Sequence, residues 1–259
     1  MAEKTLKTLY GGTVPITFYE TSHRYKLGDA KNYLISVTGA TGIIDKSRFL
    51  LPWAVNLATA YIRGKADAQA MIPYEELMAW LPEAEEQHKI KKDQAATIGS
   101  MVHDWVENFT LAKATNSPVP ELPEDEKVLT AISAFLDWYN SNHIEYVSTE
   151  QLVYSKEHGY CGHFDAVAKI NGVRTIIDYK TSKSIAYPEY KLQISAYWVA
   201  YEEEYGQCVD QAMILHFDKE SGAVADLKIT REEAKRYFDE GFIGAYNLKK
   251  LLKELDKSV

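Results

Sequence analysis

Asp165, Asp178 and Lys180 are the residues of this chain whose types and spacing could do chemistry together. Two short apolar runs, GHFDAVAKI and VRTIIDYK, flank Asn171-Gly172, and an Asn-Gly pair between alternating segments is the strongest short-range signal for a two-residue β-hairpin. With those two residues as the whole loop, pairing outward from Ile170 and Val173 sets Asp165 directly opposite Asp178. A one-residue bulge would break that register. Like charges directly opposite destabilise a sheet, their Cβ atoms being about 4.5 to 5.5 Å apart, so positive charge should sit between them. Lys180, two residues beyond Asp178, shares its face by the period of two along a strand. The pattern predicts carboxylate, carboxylate and lysine gathered around a divalent metal, Mg²⁺ or Mn²⁺, for which carboxylate oxygens are suitable hard ligands.

The elements that must position these residues follow from periodicity. Residues 16–38 alternate enough to predict a hairpin with its turn near Leu27 to Lys31. From Pro52 to Phe109 the pattern is helical, through WAVNLATAYIRGKADAQAM, YEELMAWL and the stretch ending MVHDWVENF, with Pro82 expected to break the second helix. Residues 114–124 form a proline-rich loop, and EKVLTAISAFLDWYNSN reads as an amphipathic helix. Three strands are then expected, IEYVSTEQLVYS, GHFDAVAKI and VRTIIDYK, before a helix from Pro188 to Tyr205, a strand QAMILHF and a last helix over Arg231 to Leu255. Three meandering strands and one returning through a helical crossover predict an α/β fold of the α+β kind, a mixed sheet with helices packed on it. The simplest division is a hairpin and helical elaboration over 1–92 and a core over 93–259, packed as one compact domain.

The order of these elements, with GHFD at 162–165 and DYK at 178–180, resembles the PD-(D/E)XK nuclease superfamily and, within it, the RecB-like and phage-type exonuclease group. Two further pieces fit in the same order: GSMVH, Gly99 to His103, on the preceding helix, and QISAY, Gln193 to Tyr197, on the following one. The stretch SVTGATGIIDKSRFLLPWA also resembles the lead-in of phage-type and mitochondrial genome maintenance exonucleases. The resemblance implies a Mg²⁺- or Mn²⁺-dependent DNA exonuclease or end-processing nuclease that hydrolyses phosphodiester bonds in recombination, repair or phage replication. By the same resemblance His103, Asp165, Asp178 and the backbone carbonyl of Tyr179 are metal ligands, and an imidazole ligand favours manganese. Asp165, Asp178 and Lys180 are then catalytic, with Lys180 orienting or activating the attacking water and stabilising charge on the phosphate. Glu150, Gln193, Tyr197 and Gly99 are supporting residues, Gln193 and Tyr197 bracing the site and touching the DNA backbone. The implied partner is DNA with free ends; a homo-oligomer or a recombination partner protein is left open.

Each residue also has a plainer reading. His103 alone is an ordinary helix histidine, Lys180 a lysine at a strand end, and Glu150 a solvated acid. Gln193 and Tyr197, with Tyr190 one turn earlier, are one helix face packed on the sheet. A helix-interior glycine such as Gly99 costs about 1 kcal/mol relative to alanine, so close approach could be its reason. Net charge is −8, from 29 basic and 37 acidic residues, which argues against broad electrostatic binding of a polyanion but leaves room for a local basic groove. The lysines of HKIKK and Lys249, Lys250, Lys253 and Lys257 read as solvated helix faces. Two cysteines, Cys161 and Cys208, are too few for a disulfide framework or a four-thiolate cluster. With no apolar run of membrane-spanning length and no apolar core in MAEKTLKTLY, an intracellular, cytoplasmic protein with no membrane partner is expected. GATGIIDKS lacks P-loop spacing, HDWVE is not HExxH, and no GxGxxG follows a strand. The rival is a non-catalytic nucleic-acid-binding protein on a nuclease-derived fold, which would have no need of two opposed carboxylates that repel DNA.

Overall fold

The computed structural model describes residues 4–67 and 71–256; Ala68, Gln69 and Ala70 of the KADAQAM stretch, and Lys257, lie outside the described residues. The chain opens with an antiparallel three-stranded sheet, β1 (Lys4–Leu9), β2 (Val14–Tyr19) and β3 (Arg24–Leu27). A short β4 (Ile35–Ser36) leads into α1 (Val37–Thr41), where the Ser36 hydroxyl caps the helix by accepting from the Gly39 amide. Then come α2 (Ser47–Ala66), α3 (Tyr74–Thr115) and α4 (Glu126–Asn140). The meander is β5 (Ile144–Tyr154), β6 (Tyr160–Ile170) and β7 (Val173–Lys180), followed by α5 (Pro188–Tyr205) and β8 (Gln211–Phe217). The chain continues through β9 (Val224–Ile229), α6 (Arg231–Arg236), a π-helical turn over Tyr237–Phe242, and α7 (Ile243–Leu255).

The expected mixed α/β architecture is present. In the larger sheet the order is β4-β6-β7-β8-β9, with β5 paired to β6. The meander is antiparallel, and α5 is the crossover that returns β8 parallel to β7. The hydrophobic pattern of each strand assigns its faces. Phe164, Ile176 and Ile214 join the cluster containing Tyr197, Trp198, Phe238 and Phe242 of the helices after β7. Tyr179 and Phe217 instead present their rings edge-on or tilted to each other and to Phe135 of α4, which in turn meets Phe109 of α3. Among the described residues no helix is long and apolar enough to cross a membrane.

Several expectations are corrected. The hairpin expected over 16–38 is formed by β2 and β3, and its turn is at Glu20–His23, where His23 takes a left-handed conformation (φ 46°), and not at 27–31. No Gly, Asn or Pro marks that turn, and the visible signal, Gly28, belongs to the exit from β3. Strands β1 and β9 were not anticipated; both are mostly exposed edge strands without a strict apolar alternation. Pro82 does not break its helix: α3 runs through it for 42 residues. A proline deletes one helical donor, and the good helix formers on either side carry the helix across.

Two compact units divide the chain, one of Met1–Ile44 with Val102–Val259 and the other of Asp45–Met101. This partition differs from a cut at residue 92. The first three strands and β4 belong to the same unit as the rest of the large sheet, and in sequence the segment Asp45–Met101 interrupts that unit after α1, dividing α3 at Met101.

Gly162 of the GHFD motif lets α5 approach the sheet closely. A Cβ at this position would lie 2.6 Å from Cε1 of Tyr197 and 3.2 Å from a methyl of Val37. Gly162→Ala must therefore displace a buried ring and a β-branched side chain together, at a cost of about 1–3 kcal/mol. Urea unfolding is the measurement; a variant as stable as the parent would show that Tyr197 has room to move.

Candidate active site

The ladder between β6 and β7 runs from Ile170↔Val173 to Ala166↔Ile177 in the predicted register and stops there. Asp165 and Asp178 are the next pair outward, so they stand where the two strands part. In place of a ladder bond, the Tyr179 amide donates to the Asp165 carboxylate Oδ2. On the other side of β6, Thr149↔Ala166 and Gln151↔Phe164 bracket Glu150 and Asp165, which are therefore neighbours across β5 and β6. Glu150 is held at φ 47°, a left-handed conformation that a non-glycine residue rarely takes in a strand and that commonly marks functional positions. Glu150, Asp165 and Asp178 thus form a row of three carboxylates across β5, β6 and β7, at the place where regular pairing fails on both sides.

Positive charge meets them from two directions. Lys180 Nζ lies 2.5 Å from Asp178 Oδ2, with 18 % and 7 % of the two side chains exposed. At that separation the ammonium is the partner of this buried oxygen, a charge-assisted contact between two largely buried groups. The same ammonium sits 4.9 Å from the centre of the Tyr190 ring, a cation–π contact. From α3, His103 Nδ1 lies 3.7 Å from Asp165 Oδ1. His103 is well placed on this helix because it falls one residue after buried Val102 and two before buried Trp105, at the margin of the apolar stripe.

The protonation of the group follows from this arrangement. Burial raises the Asp165 carboxyl, but His103, Lys180 and the Tyr179 amide outweigh it and hold the pKa below the usual range. Asp178 goes the other way: burial, reinforced by the Asp165 charge, raises it against the opposing pull of Lys180. Burial lowers the Lys180 pKa, yet Asp178 and Asp165 more than compensate and keep it an ammonium. His103 is likewise pulled down by burial and carried above its ordinary value by Asp165. Glu150 is pushed up to about 8 by burial, with Asp165 and Glu107 adding to the effect.

Of the residues singled out in the sequence, Asp165, Asp178, Tyr179, Lys180, Glu150 and His103 are brought together. Gln193 and Tyr197 are not on a surface. Gln193 is buried and donates to the Thr41 hydroxyl of α1 at 3.0 Å, and Tyr197, 3 % exposed, packs against Phe164 and Gly162. They brace the sheet from beneath, out of reach of a polymer. Gly99 falls in the helical unit, and no role is assigned to it. Two residues were missed. Glu107 follows His103 by one turn and feels Asp104 and Asp165 once burial has raised it; the i, i+4 spacing was a usable signal. Lys7 of β1 donates to the Glu150 carbonyl at 3.4 Å, and it could not be found without first finding β1.

The donor set suits a hard divalent cation. Asp178 Oδ2 is buried against the Lys180 ammonium, and Asp165, Asp178 and the Tyr179 carbonyl are oxygen donors of the kind Mg²⁺ and Mn²⁺ take. Among the described residues no three His, Cys, Asp or Glu side chains already converge as a finished shell, because one Asp165 oxygen is turned to the Tyr179 amide and Asp178 is held by Lys180.

Glu150 makes the metal-free protein sensitive to pH. A carboxyl that titrates at about 8 in the fold and near 4.5 outside it contributes stability that is fully present below pH 4.5 and is lost as pH rises through 8. Glu150→Gln cannot ionise. In EDTA, its unfolding free energy should be flatter between about pH 5 and pH 9 than the parent's, and at the alkaline end higher by on the order of 3 kcal/mol. Parallel profiles for the two proteins would mean that Glu150 is solvated.

No family model matches this sequence, and no curated protein matches it. Among solved structures, one described as SSO0001 is similar with a TM-score of 0.30 and 17 % identity, over 50 % of this chain and 62 % of that one. An alkaline exonuclease from Laribacter hongkongensis is similar with a TM-score of 0.28 and 12 % identity, over 62 % of this chain and 93 % of that one. The chain thus spans about 62 % of the length of the first of these structures, and likeness at this level fixes neither fold nor activity.

Proposed function

We propose that this chain is a metal-dependent deoxyribonuclease that hydrolyses phosphodiester bonds and works from DNA ends, as the RecB-like and phage-type exonucleases do. The observation that carries the reading is the meeting of Asp165, Asp178 and Lys180 at the opening between β6 and β7, two carboxylates with an ammonium against one of them. Asp165, Asp178 and the Tyr179 carbonyl would hold Mg²⁺ or Mn²⁺. Such an ion, when bound, lowers the pKa of a coordinated water and neutralises phosphate charge.

The chain's own groups divide the remaining work. Lys180 is an ammonium fixed by two carboxylates and an aromatic ring, so it serves as a donor that orients a water and stabilises charge on the phosphate oxygens, and not as a proton acceptor. His103, whose pKa burial lowers and Asp165 carries above its ordinary value, faces the acid row from the α3 side; as a metal ligand it would bind through an unprotonated ring nitrogen. Gln193, Tyr197 and Gly162 act indirectly, by fixing α1, β6 and α5 against one another.

The test is a gel assay of purified protein on end-labelled linear single strands, linear duplex and closed circular DNA, with Mg²⁺, Mn²⁺ or EDTA. Degradation of linear DNA alone, lost in EDTA, is the expected result; cutting of circles would replace the exonuclease with an endonuclease. Asp178→Ala should lower the rate by at least about a hundredfold while binding DNA as well as or better than the parent, since a negative charge has been removed. Turnover at the parental rate in that variant would remove the metal assignment. Lys180→Met should lose about 10²–10³ in rate with metal affinity, read by calorimetry, little changed. Loss of metal binding in parallel would make the lysine structural. No cleavage with any metal, together with salt-sensitive DNA binding, would favour the non-catalytic binding protein.

A further inference from the structure

Strands β1, β2 and β3 carry Lys4, Lys7, Arg24 and Lys26 and not one Asp or Glu, in a chain whose net charge is −8. The register assigns these cations to faces. Lys7 pairs with Ile16, which is fully buried, and so lies on the inner face, where Phe18 and Tyr25 pack against His163 of β6. Lys4 pairs with Tyr19, and Tyr19 with Arg24, so these three form one row on the outer face. Lys26, two residues after Arg24, is on the same side.

The outer cations are ordered by aromatic rings. Arg24 Cζ is 5.1 Å and Lys26 Nζ 5.0 Å from the centre of the Tyr33 ring, and Tyr19 meets Tyr33 edge-on at 5.5 Å. Lys253 of α7 donates to the Tyr33 carbonyl at 3.0 Å, which pins the loop that presents this ring. The result is a platform of cations and tyrosines, a composition that suits a phosphate backbone with unpaired bases beside it. From it the cations continue across the sheet to the edge strand β1 and around that edge to Lys7, whose ammonium reaches the Glu150 carbonyl at the acid row.

We infer that the outer face of the β1–β3 sheet is a binding surface for single-stranded nucleic acid, which leads the strand to the Asp165–Asp178 site by way of Lys4 and Lys7. This deepens the nuclease reading and rests on it for the destination of the strand; the binding itself can be measured separately.

The experiment is fluorescence anisotropy of a labelled single-stranded oligonucleotide in EDTA, over a series of salt concentrations, with the full chain. Arg24→Ala/Lys26→Ala should weaken binding about tenfold and lower the slope of log K against log salt by about 1.4, at roughly 0.7 per lost phosphate contact on a single strand. Lys228→Ala, on β9, is the control and should change neither quantity. The swap Arg24→Lys/Lys26→Arg keeps both charges and should recover most of the slope, which separates loss of contact from loss of fold. Unchanged affinity and slope in the double alanine variant would overturn the inference, as would a loss confined to duplex DNA, or a parent protein that binds no DNA. A parent that binds through this face yet never cleaves would overturn the nuclease and leave the surface standing.

Discussion

Two carboxylates buried side by side repel one another, and at the mouth between β6 and β7 this repulsion has to be met by positive charge. Asp165 and Asp178 are the pair, and what answers them comes from four places: Lys180 at the end of β7, His103 on α3, the Tyr179 amide, and the Tyr190 ring that seats the lysine. None of these responses is possible unless the strands diverge. A continued ladder would tie the Tyr179 amide to backbone and leave no space for an ammonium. The fork is therefore what allows the two acids to stand together, and the same fork admits the ammonium that meets Asp178. Removing one partner from such a group leaves uncompensated charge in a poorly solvated place, which is costlier than losing an exposed ion pair.

The elements around this fork were the legible part of the sequence. The Asn171-Gly172 turn fixes the β6–β7 register because a two-residue loop permits one alignment only, and the five observed pairs follow it. Helix α5 was equally clear, with Pro188 at its first turn. What sequence could not show is where the ladder ends. Strand divergence is decided by groups far away in sequence, such as the amide of Tyr179 choosing a carboxylate and β4 taking a place beside Tyr160 and Cys161. For the same reason the row Glu150, Asp165, Asp178 was invisible, since it needs the β5–β6 register, which a shift between Tyr146 and Ser148 obscures. The small sheet was misread because its turn uses a left-handed histidine, a weaker signal than the Gly28 that follows β3.

Gln193 and Tyr197 show how a correct motif can carry a different meaning. Their spacing places them on one helix face, and that face is turned to the interior. Tyr197 fills the space that Gly162 leaves free, and Gln193 holds Thr41 of α1. The stretch SVTGATG thus matters through packing: Val37 meets Gly162, and Thr41 accepts from Gln193. Precision at the site depends on these supports, because an error of about 1 Å in the position of a catalytic group can cost about a hundredfold in rate.

The acidic character of the whole chain remains to be reconciled with a polyanionic substrate. At about 0.1 M salt, charges more than roughly 10 Å apart are largely screened, so a net charge of −8 distributed over 29.4 kDa says little about what any one surface binds. Much of the chemically relevant acid lies in the row at the fork, where burial and the nearby cations reduce its reach, while the strands β1–β3 carry no acid of their own and the Glu20 carboxylate of their turn accepts from Thr5. A strand approaching this molecule meets local charge, and the local charge on that sheet is positive. Net charge therefore excludes a mode of binding, broad attraction over the entire surface, and leaves a narrow path defined by Arg24, Lys26, Lys4 and Lys7 fully compatible with an acidic protein.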